Sequence, residues 1–174
     1  MSTVYVFEQA NLVAGVGPAA SKHLTITELK LPVLQEMYQD HHAGGALAQI
    51  EVSVGVQKLE ATFKLMGFDP ALMAEFGLNS RQRMVYTAYQ VVTDKRTGRK
   101  IEHRAIMEGR LGKVEQDANQ RGNLMATDYA INEIMRYELW YDRSPIIEWD
   151  FAASVWRVNG VDQLAAENAI LRIA

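Results

Sequence analysis

Asp40, His41 and His42 stand next to one another in the chain, and these residue types could together bind a metal ion. Neighbouring residues of an extended strand point to opposite faces, so the two histidines would diverge. No further histidine or carboxylate stands at a familiar ligand spacing from them. The pattern therefore favours ordinary loop residues, and we expect neither a metal nor another cofactor.

Three acidic residues near the carboxyl end, Asp142, Glu148 and Asp150, could supply paired carboxylates for acid–base chemistry. Such pairs need a pocket that separates their pKa values, and the surrounding sequence gives no sign of one. Gly15-Val16-Gly17 is too short for a phosphate-binding loop, since neither a lysine nor a helix start follows it. Because no catalytic cluster is recognisable, we predict that the chain is not an enzyme.

Length and composition indicate a globular protein with one core. The chain has 174 residues, of which 48% are hydrophobic and 22% are charged. That is enough to bury one substantial core but short for two, so we expect a single domain over residues 1–174. There are no cysteines, which excludes disulfides and thiolate-bound zinc.

The charge pattern bears on partners and location. The formal net charge is -3, and the charged residues are spread along the chain, which argues against the basic stripe of a nucleic-acid-binding protein. No apolar stretch approaches the roughly 20 residues of a membrane span, and the amino terminus lacks a signal-peptide pattern. We expect no membrane anchor and synthesis in the cytoplasm.

Long alternating runs between Met84 and Tyr141 are the strongest structural pattern, and Thr127–Tyr141 is the clearest of them. Its apolar face would carry Tyr129, Ile131, Met135, Tyr137, Leu139 and Tyr141, and its polar face Asp128, Asn132, Arg136, Glu138 and Asp142. Alternation with period two predicts a strand with one dry and one wet side. This run is far longer than a usual strand of about five or six residues. It would overhang a small domain, so its edges would need partners.

A long antiparallel hairpin is predicted before this strand. The charged turn Asp94–Lys100 would join Met84–Thr93 to Ile101–Glu115. Earlier in the chain, His23–Leu31 has the composition of a strand. Pro32 follows it, and a proline cannot donate a backbone hydrogen bond to a neighbouring strand, so the strand should end there.

A change of phase separates two further apolar runs. Ile50–Val56 places its apolar residues at even positions, whereas Leu59–Leu65 places them at odd positions. This predicts a bulge or a turn near Gly55–Gln57. The small residues Ala43–Ala46 predict a loop tip before the first run.

Helix signals are few. Asp69–Gly77 has an N-cap aspartate, a proline at the first helical position and a glycine at the exit. Pro145–Val158 alternates like a strand, Asn159-Gly160 predicts a turn, and Asp162 could cap a closing helix that runs through Arg172. The predicted fold class is therefore mainly β, a barrel or sandwich of antiparallel strands, with one short flanking helix and a C-terminal helix.

Several short motifs occur in an order that is known from one family. They are Leu31-Pro32-Val33-Leu34, Tyr38 with Ala43-Gly44-Gly45, Met107-Glu108-Gly109-Arg110, the aromatic strand from Tyr137 to Tyr141, Glu148-Trp149-Asp150, and Val158-Asn159-Gly160-Val161-Asp162-Gln163-Leu164. From around His23 onwards, the chain thereby resembles the major tail tube protein of contractile-tailed bacteriophages, the P2-like phage tail tube family that includes the R-type pyocin tubes.

The resemblance implies a tail-tube fold and a structural virion protein. Hexameric rings would stack into the hollow inner tube of a contractile tail, which penetrates the host envelope and conducts DNA during genome ejection. The implied partners are other copies of the chain, the tail sheath protein, the baseplate or tube initiator and the tail terminator. The tape measure protein and DNA would pass through the lumen without specific binding, and the final location would be the virion.

The polar faces of the long strands supply candidates for the wall of the lumen. These are Lys58, Glu60, Lys64, Glu102, Arg104, Asp128, Asn132, Arg136 and Glu138. A conduit for DNA should lack a row of free cations, because counterion release would otherwise hold the phosphates. The same faces could form the outer wall instead, because alternation separates wet from dry but not inside from outside.

Contact between rings is assigned, by analogy with the family, to the glycine-bearing segment Tyr38–Gln49. Its candidate residues are Tyr38, His41, His42, Gly44 and Gly45. A flexible loop of this kind could become ordered when it docks.

Two other functions remain open from the sequence. The chain could be the tube of a related injection system, such as a type VI secretion or pyocin-like particle, in which cargo other than DNA is carried. It could also be a monomeric β-sandwich that binds a small molecule, with Asp40, His41 and His42 as its site. Sheath and capsid genes beside the gene for this chain would distinguish a phage tail from an injection system. Metal analysis with light scattering would distinguish a metal-binding monomer from rings or filaments without metal.

Overall fold

The computed structural model describes residues 3–15, 20–45, 47–77, 83–118 and 121–173. These residues form antiparallel strands and two short helices. In chain order, the elements are β1 (Tyr5–Ala14), β2 (Ile26–Lys30), β3 (Glu36–His41), β4 (Ile50–Val56), β5 (Ala61–Met66), α1 (Pro70–Ala74), β6 (Met84–Asp94), β7 (Lys100–Gln116), β8 (Ala126–Tyr141), β9 (Ser144–Asp150), β10 (Val155–Val158), β11 (Val161–Asp162) and α2 (Ala165–Leu171). The predicted mainly β class with two helices is confirmed.

The large sheet runs β1-β6-β7-β8 and then divides. Residues 126–131 of β8 pair with β5, and residues 136–141 pair with β9. On the first branch β2 follows β5, and on the second β10 and β11 follow β9. A bridge between Val13 and Ser21 brings the chain before β2 back to β1. The circle β1-β6-β7-β8-β5-β2 therefore nearly closes into a barrel.

The barrel interior is the hydrophobic core. Side chains of β5 at odd positions, Ala61, Phe63 and Leu65, are buried there, as the predicted change of phase requires. The ring of Phe63 stacks on that of Tyr129 at 5.0 Å. Burial raises the pKa of Tyr86 and Tyr137 to about 12, so these core phenols stay neutral.

Helix α1 is shorter than predicted. Asp69 is its N-cap and accepts a hydrogen bond from the amide of Leu72 at 3.0 Å, and Pro70 is the first helical residue, as expected. The predicted exit at Gly77 is wrong, because Glu75 caps the helix in a right-handed conformation. Leu72 is buried and anchors the helix to the core.

The long ribbons are confirmed. β7 has 17 residues and β8 has 16, and β6 and β7 form the predicted hairpin. The phase of β8 changes at Glu133, whose φ is 49°, opposite a register shift in β7. Because of this bulge, Ile134 is buried in place of the predicted Met135.

The predicted strand Pro145–Val158 is two strands joined by a turn. Asp150 accepts a hydrogen bond from the amide of Ala153 at 2.9 Å, and Ser154 has a φ of 50°, so the chain reverses between β9 and β10. Asn159-Gly160 forms the predicted turn between β10 and β11. Asp162 does not cap α2, since Leu164 holds the cap position, but its carboxylate accepts a hydrogen bond from the Leu164 amide.

Two further strands differ from the sequence interpretation. β1 was not predicted, although it pairs with β6 along its whole length. The segment Tyr38–Gln49 is not one loop, because Tyr38 to His41 belong to β3, which pairs with β4 in a separate two-stranded sheet. The pairing of β3 with β4 shifts register between Met37 and Tyr38, opposite Gly55. The phase change in the sequence predicts a bulge at this point.

Candidate functional site

The polar candidates from the long strands share the sheet face opposite the core. Cross-strand register places Lys64 beside Asp128, and Asp128 beside Glu115 of β7. Asn132 donates a hydrogen bond to Glu60 at 3.0 Å, which joins the segment before β5 to the same face. Register between β7 and β8 continues this face through Arg110 opposite Asn132 and Glu108 opposite Arg136 to Arg104 opposite Trp140, and Lys58 adjoins it beside Glu60. We name this surface, which carries the nine predicted lumen residues, the charged face.

Each lysine on the charged face lies beside a carboxylate. Lys64 Nζ is 3.3 Å from Asp128 and 3.7 Å from Asp117, and Lys58 Nζ is 3.9 Å from Glu60. The hydrogen bond to Asp128, with the charge of Asp117, raises the pKa of Lys64. The local field is balanced, so neither lysine presents an isolated positive charge.

The arginines are paired in the same way. Two guanidinium nitrogens of Arg136 donate to one oxygen of Glu138, and the indole of Trp140 donates to the other oxygen at 3.0 Å. The hydrogen bond to Glu138 raises the pKa of Arg136. Arg104 stacks over Trp140 at 4.9 Å and lies 4.0 Å from Glu102. Glu138 is only 8% exposed, so this end of the face is packed as well as charged.

The charged face extends beyond the predicted residues. Glu133 accepts hydrogen bonds from Arg83 at 2.6 Å and from Arg110 at 3.3 Å, and the bond from Arg83 is the main cause of its lowered pKa. Lys113 pairs with Glu115 farther along β7. Alternation in β7 could have indicated Arg110, whereas Lys113 and Glu115 reach this face only through the register shift between Leu111 and Lys113, and the role of Glu133 depends on its bulge.

The β3–β4 hairpin presents an uncovered apolar surface. Ile50, Val52, Val54 and Val56 are 58%, 45%, 55% and 38% exposed. Ile50 and Val52 lie opposite His41 and Gln39 on one face, whereas the register shift at Gly55 puts Val56, opposite Glu36, on the other face. Every residue of both strands is exposed. We name these four side chains the valine row. Large apolar side chains exposed to this extent require a cover that the described residues of one subunit do not provide.

The predicted ring-contact residues all lie on this hairpin, from the middle of β3 to its tip. Tyr38 and His41 are in β3, His42 follows it, and Gly44 and Gly45 form the turn. All are exposed. The structure thus places these five candidates on one projecting element.

The rejected chemical sites do not assemble. Across the described ranges, no group of three or more histidine, aspartate and glutamate side chains could hold a metal ion. Asp142 pairs with Arg99, Glu148 lies 3.8 Å from Arg157, and Asp150 holds the turn after β9. Gly15 ends the described amino-terminal segment, and Val16 and Gly17 lie outside the described residues. In the part of the chain that the structure describes, no helix is long and apolar enough to cross a membrane.

The fold is shared with components of contractile injection machines. A chain in the sheath-tube complex of an extracellular contractile injection system (PVC) in the extended state matches with a TM-score of 0.55 and 7% identity, covering 76% of this chain and 88% of that chain. A chain in the anti-feeding prophage (AFP) baseplate, 6-fold symmetrised, matches with a TM-score of 0.55 and 10% identity, covering 80% and 97%. A chain in the tube-terminating cap of the same particle matches with a TM-score of 0.54 and 8% identity, covering 80% and 94%.

These similarities define a tail-tube fold. The sequence model of the family described as "Phage tail tube protein FII" matches residues 19–171. The chain belongs to the Phage tail tube protein FII family, and it is a structural protein of a contractile phage tail or related injection system, not an enzyme. No curated protein sequence shows significant similarity to it.

Proposed function

We propose that six copies of this chain, each a single domain over residues 1–174, form a ring, and that the rings stack into the hollow inner tube of a contractile phage tail. The tube penetrates the host envelope and conducts DNA. The tube lies within the tail sheath, begins at a baseplate initiator and ends at a tail terminator. The tape measure protein and then DNA pass through it, and its location is the virion.

The uncovered β3–β4 hairpin carries this proposal. Its valine row is exposed, and a monomer would keep this apolar surface in water at a free-energy cost. Among the described residues, the outer edge of β1 from Tyr5 to Asn11 also lacks a strand partner. Open edges promote pairing with other chains, and a closed ring of subunits removes them.

The charged face suits the wall of a DNA conduit. Its four predicted cations each lie beside a carboxylate. Duplex DNA is held when a protein neutralises phosphates and releases counterions. Cations that are already neutralised gain little from that exchange, so a wall of this composition lets DNA pass.

The size of a ring supports passage of a duplex. If each of six subunits contributes four strands, about 24 strands at a spacing of about 4.8 Å give a backbone diameter of at least about 37 Å. Side chains that occupy about 5 Å on each side leave a bore of about 27 Å. That bore is wider than B-form DNA.

Assembly of the purified chain tests this proposal. We expect the full chain to sediment as filaments in high-speed centrifugation, and a variant lacking Gly44 and Gly45 to stay in the supernatant, because the hairpin tip would no longer reach the next ring. Far-ultraviolet circular dichroism of the deletion variant should match that of the unchanged chain. Filament formation by a folded deletion variant would contradict the role of the hairpin tip.

A tube of a related injection system is the second candidate. The fold similarity to chains of the PVC and AFP particles favours it. Capsid genes beside the gene for this chain would support DNA conduction, whereas sheath genes without capsid genes would support delivery of other cargo.

A further inference from the structure

No side of helix α2 is buried within its own subunit. All of its seven residues are exposed or half-exposed, with Ile170 at 81% and Leu171 at 67%. Isolated helices shorter than about 12–15 residues are marginal in water. Asn168 holds α2 through two hydrogen bonds with Ser154, at 2.9 Å and 2.7 Å. The aliphatic side of the helix is left facing solvent.

An apolar groove lies near the start of this helix. It has a volume of about 950 Å³ and separates the base of the β3–β4 hairpin from β8, β9 and β10. Its apolar lining comes from Ile134, Met135, Trp149, Phe151, Trp156 and Leu164. The rings of Trp149 and Trp156 meet edge to face at 6.3 Å. A space of this size lies near the upper end of about 300–1,000 Å³ for ligand pockets, so it can receive several aliphatic side chains.

Helix and groove belong to the same surface but do not satisfy each other within one subunit. Leu164 lines the groove and α2 begins at the next residue, yet Ile170 and Leu171 remain in solvent. The helix therefore leads away from the groove that it borders. A second subunit would supply both missing partners.

Charges on the two surfaces are complementary. Helix α2 has Glu167 in its first turn and Arg172 at its C-cap. The groove is bordered by Lys58, which is 86% exposed in its side chain, and by Glu36. Lys58 and Glu36 both lie at the base of the hairpin, since Glu36 pairs with Val56. Lys58 is 3.9 Å from Glu60 but exposed enough to pair with Glu167 of a neighbour instead, and Glu36 is available to Arg172, so each charge on the helix can meet an opposite charge at the groove.

We propose that α2 of one copy docks in the groove of the adjacent copy, with Ile170 and Leu171 buried against the tryptophan pair. This inference rests on the proposed function, because it requires self-assembly. It assigns the role of the groove to a second copy of this chain rather than to a small molecule.

Cysteine cross-linking tests the proposal directly, since the chain has no cysteine of its own. One preparation carries Leu171→Cys and another carries Met135→Cys or, on the opposite side of the groove, Gln57→Cys. After mixing, assembly and mild oxidation, we expect a covalent dimer of the two variants. A disulfide needs Cα atoms within about 7 Å, so two groove positions cover a shift in docking. Leu124→Cys, at a residue that is 75% exposed outside α2, is the matched control and should not cross-link.

The outcomes separate the two proposals. Filaments that form without a mixed dimer from either groove position would overturn the inference and leave the proposed function standing. A chain with both Leu171→Cys and Met135→Cys that closes only within itself would also overturn it. If the unchanged chain forms no filaments, the proposed function fails first.

A second variant measures the energetic role of the helix. Leu171→Asp should raise the concentration needed for filament formation about tenfold or more, because it places a charge where burial of leucine is expected. Leu124→Asp should leave that concentration unchanged. Equal effects of the two substitutions would contradict the docking of α2.

Discussion

At the residue scale, Asp69 joins two parts of the fold. Its carboxylate lies 2.6 Å from Lys22 Nζ while capping α1, and the Lys22 side chain is 8% exposed. Burial, the largest single influence, raises the pKa of Asp69, but the hydrogen bonds from Lys22 and the Leu72 amide outweigh it, so the pKa lies below its ordinary value. The ion pair therefore stabilises the fold where the carboxylate is ionised.

Asp69→Asn should isolate this ion pair, because asparagine caps a helix as well as aspartate does. We expect the free energy of unfolding of the subunit to fall by about 2–3 kcal/mol at pH 7, less than the roughly 3–5 kcal/mol of a fully buried pair, because the Asp69 side chain is 22% exposed. The lowered pKa adds stability that is complete above an unfolded-state pKa of about 3.9 and is lost as the pH falls through the folded value. The difference between the two proteins should therefore shrink in acid.

Urea unfolding at several pH values measures this difference. Asp40→Asn, on the exposed strand β3, is the control and should change stability by less than about 0.5 kcal/mol. A difference for Asp69→Asn that does not shrink as the pH falls below the unfolded-state pKa of about 3.9 would contradict the account.

Single residues also show which features the sequence could predict and which it could not. Alternation correctly placed Lys64 and Asp128 on a polar face, because that assignment needs only the period of the strand. It failed at Met135, because the bulge at Glu133 depends on how β7 lies against β8. A Cβ added to Gly109 would lie 2.9 Å from the Asn132 carbonyl oxygen, and that close approach is invisible in the sequence.

At the scale of elements, the β3–β4 hairpin is one of the parts of the described chain that a single subunit leaves uncovered. Val52→Lys with Val54→Lys places charges on the valine row without disturbing the core, because both side chains are about half exposed. We expect the stability of the free subunit to change by less than about 0.5 kcal/mol per site and filament formation to be lost. Centrifugation with urea unfolding measures both quantities.

Leu24→Lys is the matched control for this pair, since Leu24 is 87% exposed in a turn. It should leave filament formation intact. If both proteins form filaments equally well, the valine row is not an assembly surface.

The elements differ in how far the sequence predicted them. The β6–β7 hairpin was predicted because its charged turn separates two strongly alternating runs. The sequence of Pro145 to Val158 predicts one strand, because its alternation continues through the turn that Asp150 stabilises. The sequence does not predict β1, because Val4 to Phe7 has no alternation of polar and apolar residues. Pairing with β6 is what holds this segment as a strand.

At the scale of the whole molecule, the balance of the charged face determines how a tube treats DNA. Glu60→Lys with Asp128→Lys would replace the carboxylate beside Lys58 and the nearer of the two beside Lys64 with further cations, leaving Asp117 at 3.7 Å from Lys64. We expect tubes of this double variant to retain linear duplex DNA, with an affinity that falls steeply between about 50 and 200 mM salt. Unchanged tubes should not retain it.

Co-sedimentation of labelled duplex with assembled tubes measures this retention. A variant with Glu75→Lys, Leu24→Lys and Leu124→Lys makes the same change of net charge at exposed sites away from this face and is the control. Equal retention of DNA by the two variants would show that the charged face is not the wall that DNA meets.

Electron cryomicroscopy of the purified, concentrated chain tests the central claim most directly. We expect striated filaments whose end views show rings of six subunits around a bore wide enough for B-form DNA, with the charged face towards the bore and the valine row covered by a neighbour. Isolated compact subunits at high concentration, or rings with the charged face outward, would contradict the account.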